Sequence, residues 1–185
     1  MIDLDTVRRE VERGPQNNTF SASFAELFDR QGADSLRRSG GEHHVTASCL
    51  VIDPAAEAVL LNHHRKAGLW GQFGGHLEPA DTSLRDAARR EAEEESGLRP
   101  LARITAAPID LHVHDLSAAF GTCTRHFDVV FAAQASTDDS PHVSDESFDV
   151  AWFRLDRLPD DLMPDLPDRL PGLFRSAAAA LSSRD

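Results

Sequence analysis

The sequence is poor in cysteine: it has two, Cys49 and Cys123, and no CxxC pair. We therefore expect neither a disulfide framework nor a structural zinc site. We expect both cysteines to be small buried residues of strands. The absence of a disulfide framework favours a reduced, cytoplasmic setting.

Long apolar runs are absent as well. The longest run is far too short to cross a bilayer, and the acidic N-terminus lacks the apolar segment of a signal peptide. Acidic residues outnumber basic ones by 31 to 19, which gives a net charge of -12 and disfavours a membrane surface or a nucleic acid polymer as partner. A small phosphorylated substrate stays compatible with this charge, because a divalent cation can bridge it to the protein.

Length and apolar spacing together predict the domain organisation. The chain has 185 residues and 41% hydrophobic content, enough for one domain with a sizeable core. The spacing predicts a helical N-terminal arm over residues 1–40 and a single domain over residues 41–185. Several consecutive strands lack a helix between them, so we predict an α/β fold with a mixed sheet flanked by helices. The predicted strands cover residues 45–53, 58–63, 101–107, 109–113, 126–135 and 150–155, and residues 68–75 are predicted to form a glycine-rich loop.

One helix carries most of the chemical information. Residues 83–98 read SLRDAARREAEEESGL, and their apolar spacing predicts a helix over residues 84–96. Ser83, with Asp86 three residues later, forms a capping-box pattern for the start of this helix. Gly97 suits a left-handed cap at its end.

The acidic run in this helix has an unusual phase. Such runs usually mark a solvated helix face, but at roughly 100° per residue Glu91, Glu94 and Glu95 continue the small apolar stripe. Glu93 and Ser96 fall on the far side, and Glu93 is expected to face water. Clustered carboxylates beside a core repel one another and are costly to desolvate. They need a counter-charge, and a hard divalent cation with oxygen ligands suits them best.

Residues 75–98 resemble the Nudix box, the family pattern G-x5-E-x7-R-E-U-x-E-E-x-G-U, in which U is a bulky aliphatic residue. The second half matches from Arg90 onwards, and Gly75 matches the leading glycine. Three positions depart from the pattern: Asp81 stands where the first glutamate belongs, eight residues instead of seven separate it from Arg90, and Ala92 is small. The extra residue precedes the helix, so a loop can absorb it.

The resemblance implies a Nudix-like α/β/α sandwich that acts as a metal-dependent hydrolase. Glu91, Glu94 and Glu95 would bind Mg²⁺, for which Mn²⁺ can substitute, and the backbone carbonyl of Gly75 would add a ligand. Arg90, supported by Asp81, would orient a glutamate of the box without touching substrate. The metal would screen the phosphates and activate a water that attacks phosphorus.

A proton acceptor and a substrate pocket are also needed. Glu94, Glu95 and Glu146 are the three candidate acceptors, because some family members use a loop glutamate. His112, His114, Arg125 and His126 are expected to line the pocket with hydrogen-bond donors, with a second metal site as the alternative. The remaining strand histidines are expected at sheet edges: His43, His44, His63 and His64.

The predicted function is Mg²⁺-dependent cleavage of the diphosphate linkage in a nucleoside diphosphate derivative or a related small phosphorylated metabolite. The alternative is a Nudix-fold module that binds a nucleotide without cutting it. Such modules usually lose glutamates of the box, whereas this chain keeps Glu91, Glu94 and Glu95. The sequence leaves open the identity of the substrate and the presence of a homodimer.

Overall fold

The structure, a computed structural model, describes residues 2–116, 123–145 and 147–183. Two helices come first, α1 (Leu4–Glu12) and α2 (Ser21–Gln31), followed by a 3₁₀ helix (Gly32–Leu36). The later elements are, in chain order, β1 (His43–Asp53), β2 (Ala58–His64), β3 (Leu69–Gly71), β4 (Phe73–His76), α3 (Leu84–Ser96), β5 (Arg103–Ile104), β6 (Asp110–Asp115), β7 (Arg125–Gln134), β8 (Ser147–Arg154) and α4 (Leu166–Ser182).

Within the described residues, eight strands form one mixed sheet centred on β1. β1 pairs in parallel with β7 along one edge. Along its other edge it pairs antiparallel with β4 over residues 46–49 and with β2 over residues 51–53. β5 and β6 pair antiparallel with β7, and β3 and β8 pair antiparallel with β2. The first half of β1 therefore lies between β7 and β4.

The alternation of side chains along β1 assigns each face of the sheet to its helices. Val45, Ala47 and Cys49 pack into a core with the apolar sides of α1, α2 and α3. Leu50 and Ile52 point to the other face and pack against α4. The predicted α/β/α sandwich with a mixed sheet is therefore confirmed, and the two N-terminal helices pack on the same face as α3.

Two local predictions are wrong. Residues 68–75 form the short strands β3 and β4 instead of a loop, because their backbones pair with β2 and β1. Glycine-rich sequence has low strand propensity, so the extended conformation of these residues depends on pairing with the neighbouring strands. Residues 101–107 contribute only the two-residue strand β5, which pairs with the end of β7.

Helix α4 packs one of its sides against the sheet face that carries Leu50 and Ile52, and its other side is exposed. Leu170, Leu173 and Ala177 are buried against the sheet, and exposed residues alternate with them along the helix. Across the described residues, every helix falls short of the length and apolarity that a membrane crossing demands.

Candidate active site

Helix α3 begins and ends where the sequence predicts. Ser83 Oγ accepts a 2.9 Å hydrogen bond from the backbone N–H of Asp86, and Gly97 adopts a left-handed φ of +72°. Ala87 and Ala88 are fully buried against the sheet. Because these side chains are small, the helix lies close to the strands, and the longer glutamates beside the stripe reach β2 and β4.

Glu91 faces the backbone of Gly75 on β4. A Cβ atom at Gly75 would lie 2.6 Å from the nearer carboxylate oxygen of Glu91, well inside van der Waals contact. Only glycine therefore leaves room for this carboxylate.

Glu95 is the most deeply placed carboxylate of the helix. Its side chain accepts a 2.7 Å hydrogen bond from Nδ2 of Asn62 and a 3.4 Å hydrogen bond from the backbone N–H of Gly74. Both Glu95 and Asn62 are buried. Sequence reasoning missed Asn62, and its signal was a single amide at the end of the apolar run AVLL in β2.

Arg90 organises the charges around this cluster. Its Nε and Nη2 donate to the two carboxylate oxygens of Asp81 at 2.9 and 3.0 Å, and its Nη1 donates to Glu91 at 2.9 Å. Nη1 also lies 3.2 Å from Glu94, and Nη2 donates to the backbone carbonyl of His76 at 3.0 Å. Burial alone would lower the pKa of Arg90, but the bonds with Asp81 and the charge of Glu91 raise it above its ordinary value.

The extra residue of the motif lies in the loop before α3. Asp81 is buried there, its backbone N–H donates to the carbonyl of Glu78, and its carboxylate accepts from the N–H of Glu78. This tight turn presents the shorter aspartate side chain directly to Arg90. The loop thus accommodates both departures from the family pattern, the extra residue and the replacement of glutamate.

The predicted helix phase is wrong at three positions, Glu93, Ser96 and Glu94. Glu93 does not simply face water, because its carboxylate accepts a 2.9 Å hydrogen bond from the backbone N–H of Leu101. Ser96 is fully buried, since the loop at His142 folds back and donates its N–H to the Ser96 carbonyl. Glu94 is the exposed glutamate, with 48% of its side chain accessible. Long-range loops cover the far side of α3, which a helical wheel does not represent.

This set of residues fits a divalent cation. Four carboxylates pair with the single guanidinium of Arg90, those of Glu78, Asp81, Glu91 and Glu94. Glu95 adds a further carboxylate one turn along the helix from Glu91. The excess of negative charge needs a cation, and carboxylates with a backbone carbonyl are the oxygen ligands that Mg²⁺ and similar ions prefer. The residues that would hold the ion are Glu91, Glu94, Glu95 and Gly75.

A second cluster lies next to this site, and we call it the histidine row. It runs across four neighbouring strands, from β6 through β7 and β1 to β4, with ring centroids of neighbours 4.8–5.6 Å apart. The structure thus brings together three predicted pocket residues and adds two that sequence reasoning missed. The members of the row are His112, His114, His126, His44 and His76.

The inner part of the row is uncharged at neutral pH. Burial, with the neighbouring imidazoles, lowers the pKa of His126 to about 2 and that of His76 to about 4. Burial also lowers the pKa values of His44 and His114. The prediction of a sheet-edge position for His44 is wrong, because this residue is fully buried on the central strand β1.

A polar patch continues from the row along the same sheet face. The buried carboxylate of Asp128 accepts hydrogen bonds from Thr46 at 2.9 Å and from Ser48 at 2.7 Å. Gln72 donates to its second oxygen at 3.2 Å. Sequence reasoning missed these residues, although polar side chains at alternate positions of two apolar strands were a readable signal.

Two predicted site residues are not part of these clusters. Arg125 lies on β7 directly before His126, so its side chain points to the opposite face, where it pairs with Asp115 at 2.6 Å. The structure therefore does not bring Arg125 to the histidine row. Glu146 lies outside the described residues.

The fold and the acidic helix define a class of protein, an α/β/α sandwich with a cluster of carboxylates where one helix meets the mixed sheet. The family model of the NUDIX domain matches residues 42–173. The chain is also 34% identical, over 122 residues, to the oxidized purine nucleoside triphosphate hydrolase of Mus musculus, covering 63% of this chain and 70% of that protein. The chain therefore belongs to the NUDIX family.

Solved structures agree with this assignment. The MutT NUDIX hydrolase from Burkholderia pseudomallei is 27% identical with a TM-score of 0.50, covering 70% of this chain and 96% of that one. The MutT protein from Methanosarcina mazei Go1 shares the fold at 21% identity and a TM-score of 0.55, covering 73% and 95%. The chain is a NUDIX pyrophosphohydrolase, a class that generally uses divalent metal ions and acts on small phosphorylated substrates.

Proposed function

We propose that this enzyme hydrolyses the diphosphate linkage of a nucleoside diphosphate derivative, with Mg²⁺ as its metal. The observation that carries the proposal is the placement of Glu91 against Gly75 and of Glu95 against the N–H of Gly74, with Arg90 paired to both Glu91 and Glu94. When bound, a divalent cation would neutralise the diphosphate and make its phosphorus more electrophilic.

The residues of the site have separate tasks in this proposal. Arg90 and Asp81 form a buried fork that holds the carboxylate of Glu91 against β4. Asn62 and the N–H of Gly74 orient Glu95 and occupy part of its hydrogen-bonding capacity. These contacts fix the geometry before substrate arrives, so little reorganisation is needed during the reaction.

Glu94 is the proton acceptor that the geometry favours. It is the exposed glutamate of α3, so a water molecule can reach it, whereas Glu95 is buried and hydrogen-bonded. Its contact with Arg90 orients the carboxylate towards the cluster. Glu95 and Glu146 stay alternative acceptors, and loss of the acidic limb of the pH–rate profile in Glu94→Gln is the expected signature of the assignment.

The polar head of the substrate would lie along the sheet face formed by the histidine row and Asp128. His112 and His114 form the outer part of this wall, and His126 lies deeper, against His44. Neutral imidazoles, Gln72 and the hydroxyls of the patch offer donors and acceptors to a base or sugar. A nucleoside with an altered purine, as in the name of the mouse relative, is the first compound to try.

The test is a panel of soluble phosphoric anhydrides with phosphate and pyrophosphate detection. It includes oxidised purine nucleoside triphosphates, sugar nucleotides and dinucleoside polyphosphates, each with Mg²⁺ or Mn²⁺ and with excess chelator. We expect turnover only with metal, and in ¹⁸O-labelled water we expect the label on a phosphate product. Full activity in chelator would disprove metal dependence, and label on the carbon fragment alone would disprove attack at phosphorus. Tight binding of a nucleotide without turnover across the panel would favour a binding module.

A further inference from the structure

A cluster of nitrogen and sulfur donors lies at the inner end of the histidine row, outside the carboxylate site. Cys123 Sγ lies 3.4 Å from Nε2 of His44. One donor atom from each of His44, Cys123 and His126 lies within 4.8 Å of the other two. His44 and Cys123 are buried.

The spacing of these atoms matches that of ligands around one ion. In a tetrahedral zinc site, Zn–S is about 2.3 Å and Zn–N about 2.0–2.1 Å, which sets sulfur and nitrogen roughly 3.5 Å apart. The 3.4 Å between Cys123 and His44 agrees with that value. The sulfur also lies 3.5 Å from Nδ1 of His44, so a rotation of this ring would direct one nitrogen to the ion.

The histidines of the cluster carry a second, independent sign of a ligand. Nε2 of His126 is buried and has no hydrogen-bond partner within the described residues. Buried imidazole nitrogens normally have a hydrogen-bond partner or a metal. Nε2 of His76 lies 2.8 Å from Nε2 of His44, so a further imidazole nitrogen is close enough to reach the same ion.

We propose that His44, Cys123 and His126 bind a Zn²⁺ ion, in addition to the metal of the carboxylate site. Zn²⁺ takes imidazole and thiolate ligands, whereas Mg²⁺ prefers oxygen ligands, so the two sites differ in the ion they select. Three protein ligands leave a fourth position, which His76 or a water molecule fills. On binding, the thiol of Cys123 releases its proton to solvent, and the thiolate sulfur bonds to the ion.

The ion ties together the first half of the central strands. His44 and His126 are paired in register on β1 and β7, and Cys123 lies two residues before β7. The two isolated cysteines did not indicate this site, because its ligands come from separate strands instead of one short segment. An ion bound only by the folded chain stabilises that chain by mass action.

Zinc binding is measured on the full chain, freed of metal, by equilibrium dialysis in excess Mg²⁺, which saturates the carboxylate site. We expect one Zn²⁺ per chain, with the affinity reduced on the order of 100-fold or more in Cys123→Ala. Cys49→Ala is the matched control, because Cys49 is fully buried on the opposite face of β1. Zinc retained in Cys123→Ala but lost in Glu91→Gln would locate the ion on the carboxylates and overturn the proposal. Folded wild-type protein that binds no zinc would overturn it as well.

A spectroscopic measurement tests the ligand set without any substitution. Co²⁺ bound to a thiolate gives an intense sulfur-to-metal charge-transfer band that an all-oxygen site lacks. We expect the band in the Co²⁺-loaded wild type and in Cys49→Ala, and its loss in Cys123→Ala. If Cys123→Ala does not fold, the wild-type spectrum still decides, because a Co²⁺-loaded chain without the band would disprove thiolate ligation.

Discussion

The carboxylate site and the histidine row meet at β4, on opposite faces of the sheet, and their charges differ. Gly75 faces the glutamates of α3, and its neighbour His76 belongs to the histidine row, in which four members have lowered pKa values. Arg90 pairs with two of the glutamates, and a bound cation would compensate the remaining charge. Burial is the main cause that lowers the pKa of His44, His76, His114 and His126, whereas His112 pairs with Asp165 at 3.1 Å. Two adjacent residues of one strand thus separate a site for hard cations from one with nitrogen and sulfur donors.

The largest expected effect comes from the buried member of the charged site. Glu95→Gln should lower turnover by on the order of 100-fold or more, because it removes a charge from the cation site while keeping the size of the side chain. The measurement is kcat with a substrate from the panel. Glu93→Gln is the matched control, since Glu93 bonds to Leu101 on another side of α3, and its kcat should be unchanged. Equal losses of kcat in the two variants would contradict the assignment of Glu95, and not Glu93, to the cation site.

The close approach of β4 to α3 should produce the next largest effect. Gly75→Ala places a Cβ 2.6 Å from the carboxylate of Glu91 and should lower turnover by about 10- to 100-fold, because a small displacement misplaces the site. Gly172→Ala serves as the control, since its Cβ would meet nothing nearer than 4.0 Å. Wild-type turnover of Gly75→Ala would mean that Glu91 does not need its position against β4.

The histidine row should make stability depend on pH in the metal-free protein. Unfolded histidines have pKa values near 6.5, whereas folded His126 has a pKa of about 2. Below about pH 6.5 the unfolded chain binds protons that the folded chain does not. The free energy of unfolding is therefore fully present above that pH and falls by about 1.4 kcal/mol per pH unit for each such histidine as the pH drops.

Urea unfolding at pH 7.5, 6 and 5 after chelation measures this slope. His126→Gln should give a flatter dependence than wild type, because it removes one group that only the unfolded chain protonates in this range. His44, His76 and His114 still surround the substituted position, so some dependence should persist. An unchanged slope would mean that His126 protonates in the folded chain.

The smallest effect is expected at Arg125, which the structure separates from the row. Arg125→Ala should leave KM within about twofold and cost at most about 1 kcal/mol of stability, because its pair with Asp115 is exposed. Steady-state kinetics and urea unfolding check both values. A large rise in KM would mean that substrate reaches the opposite face of β7.

The carboxylate site was predictable because all three of its glutamates lie on one helix. Glu91, Glu94 and Glu95 are contiguous in sequence, and the 3.6-residue period converts that spacing into a shared side of α3. Where loops fold over the helix, the same reasoning failed, as the buried Ser96 shows. Asn62 escaped prediction because its contact with Glu95 joins residues 33 positions apart.

The sequence by itself determined the acidic helix, its caps and its match to the NUDIX family, because all three depend on neighbours within a few turns. Tertiary structure decided the rest. The parallel pairing of β1 with β7 brings His44 to His126, and the pairing of β4 with β1 adds His76. No local spacing encodes these contacts, since strand register depends on distant partners and on which face the core buries. The histidine row therefore exists only in the folded sheet.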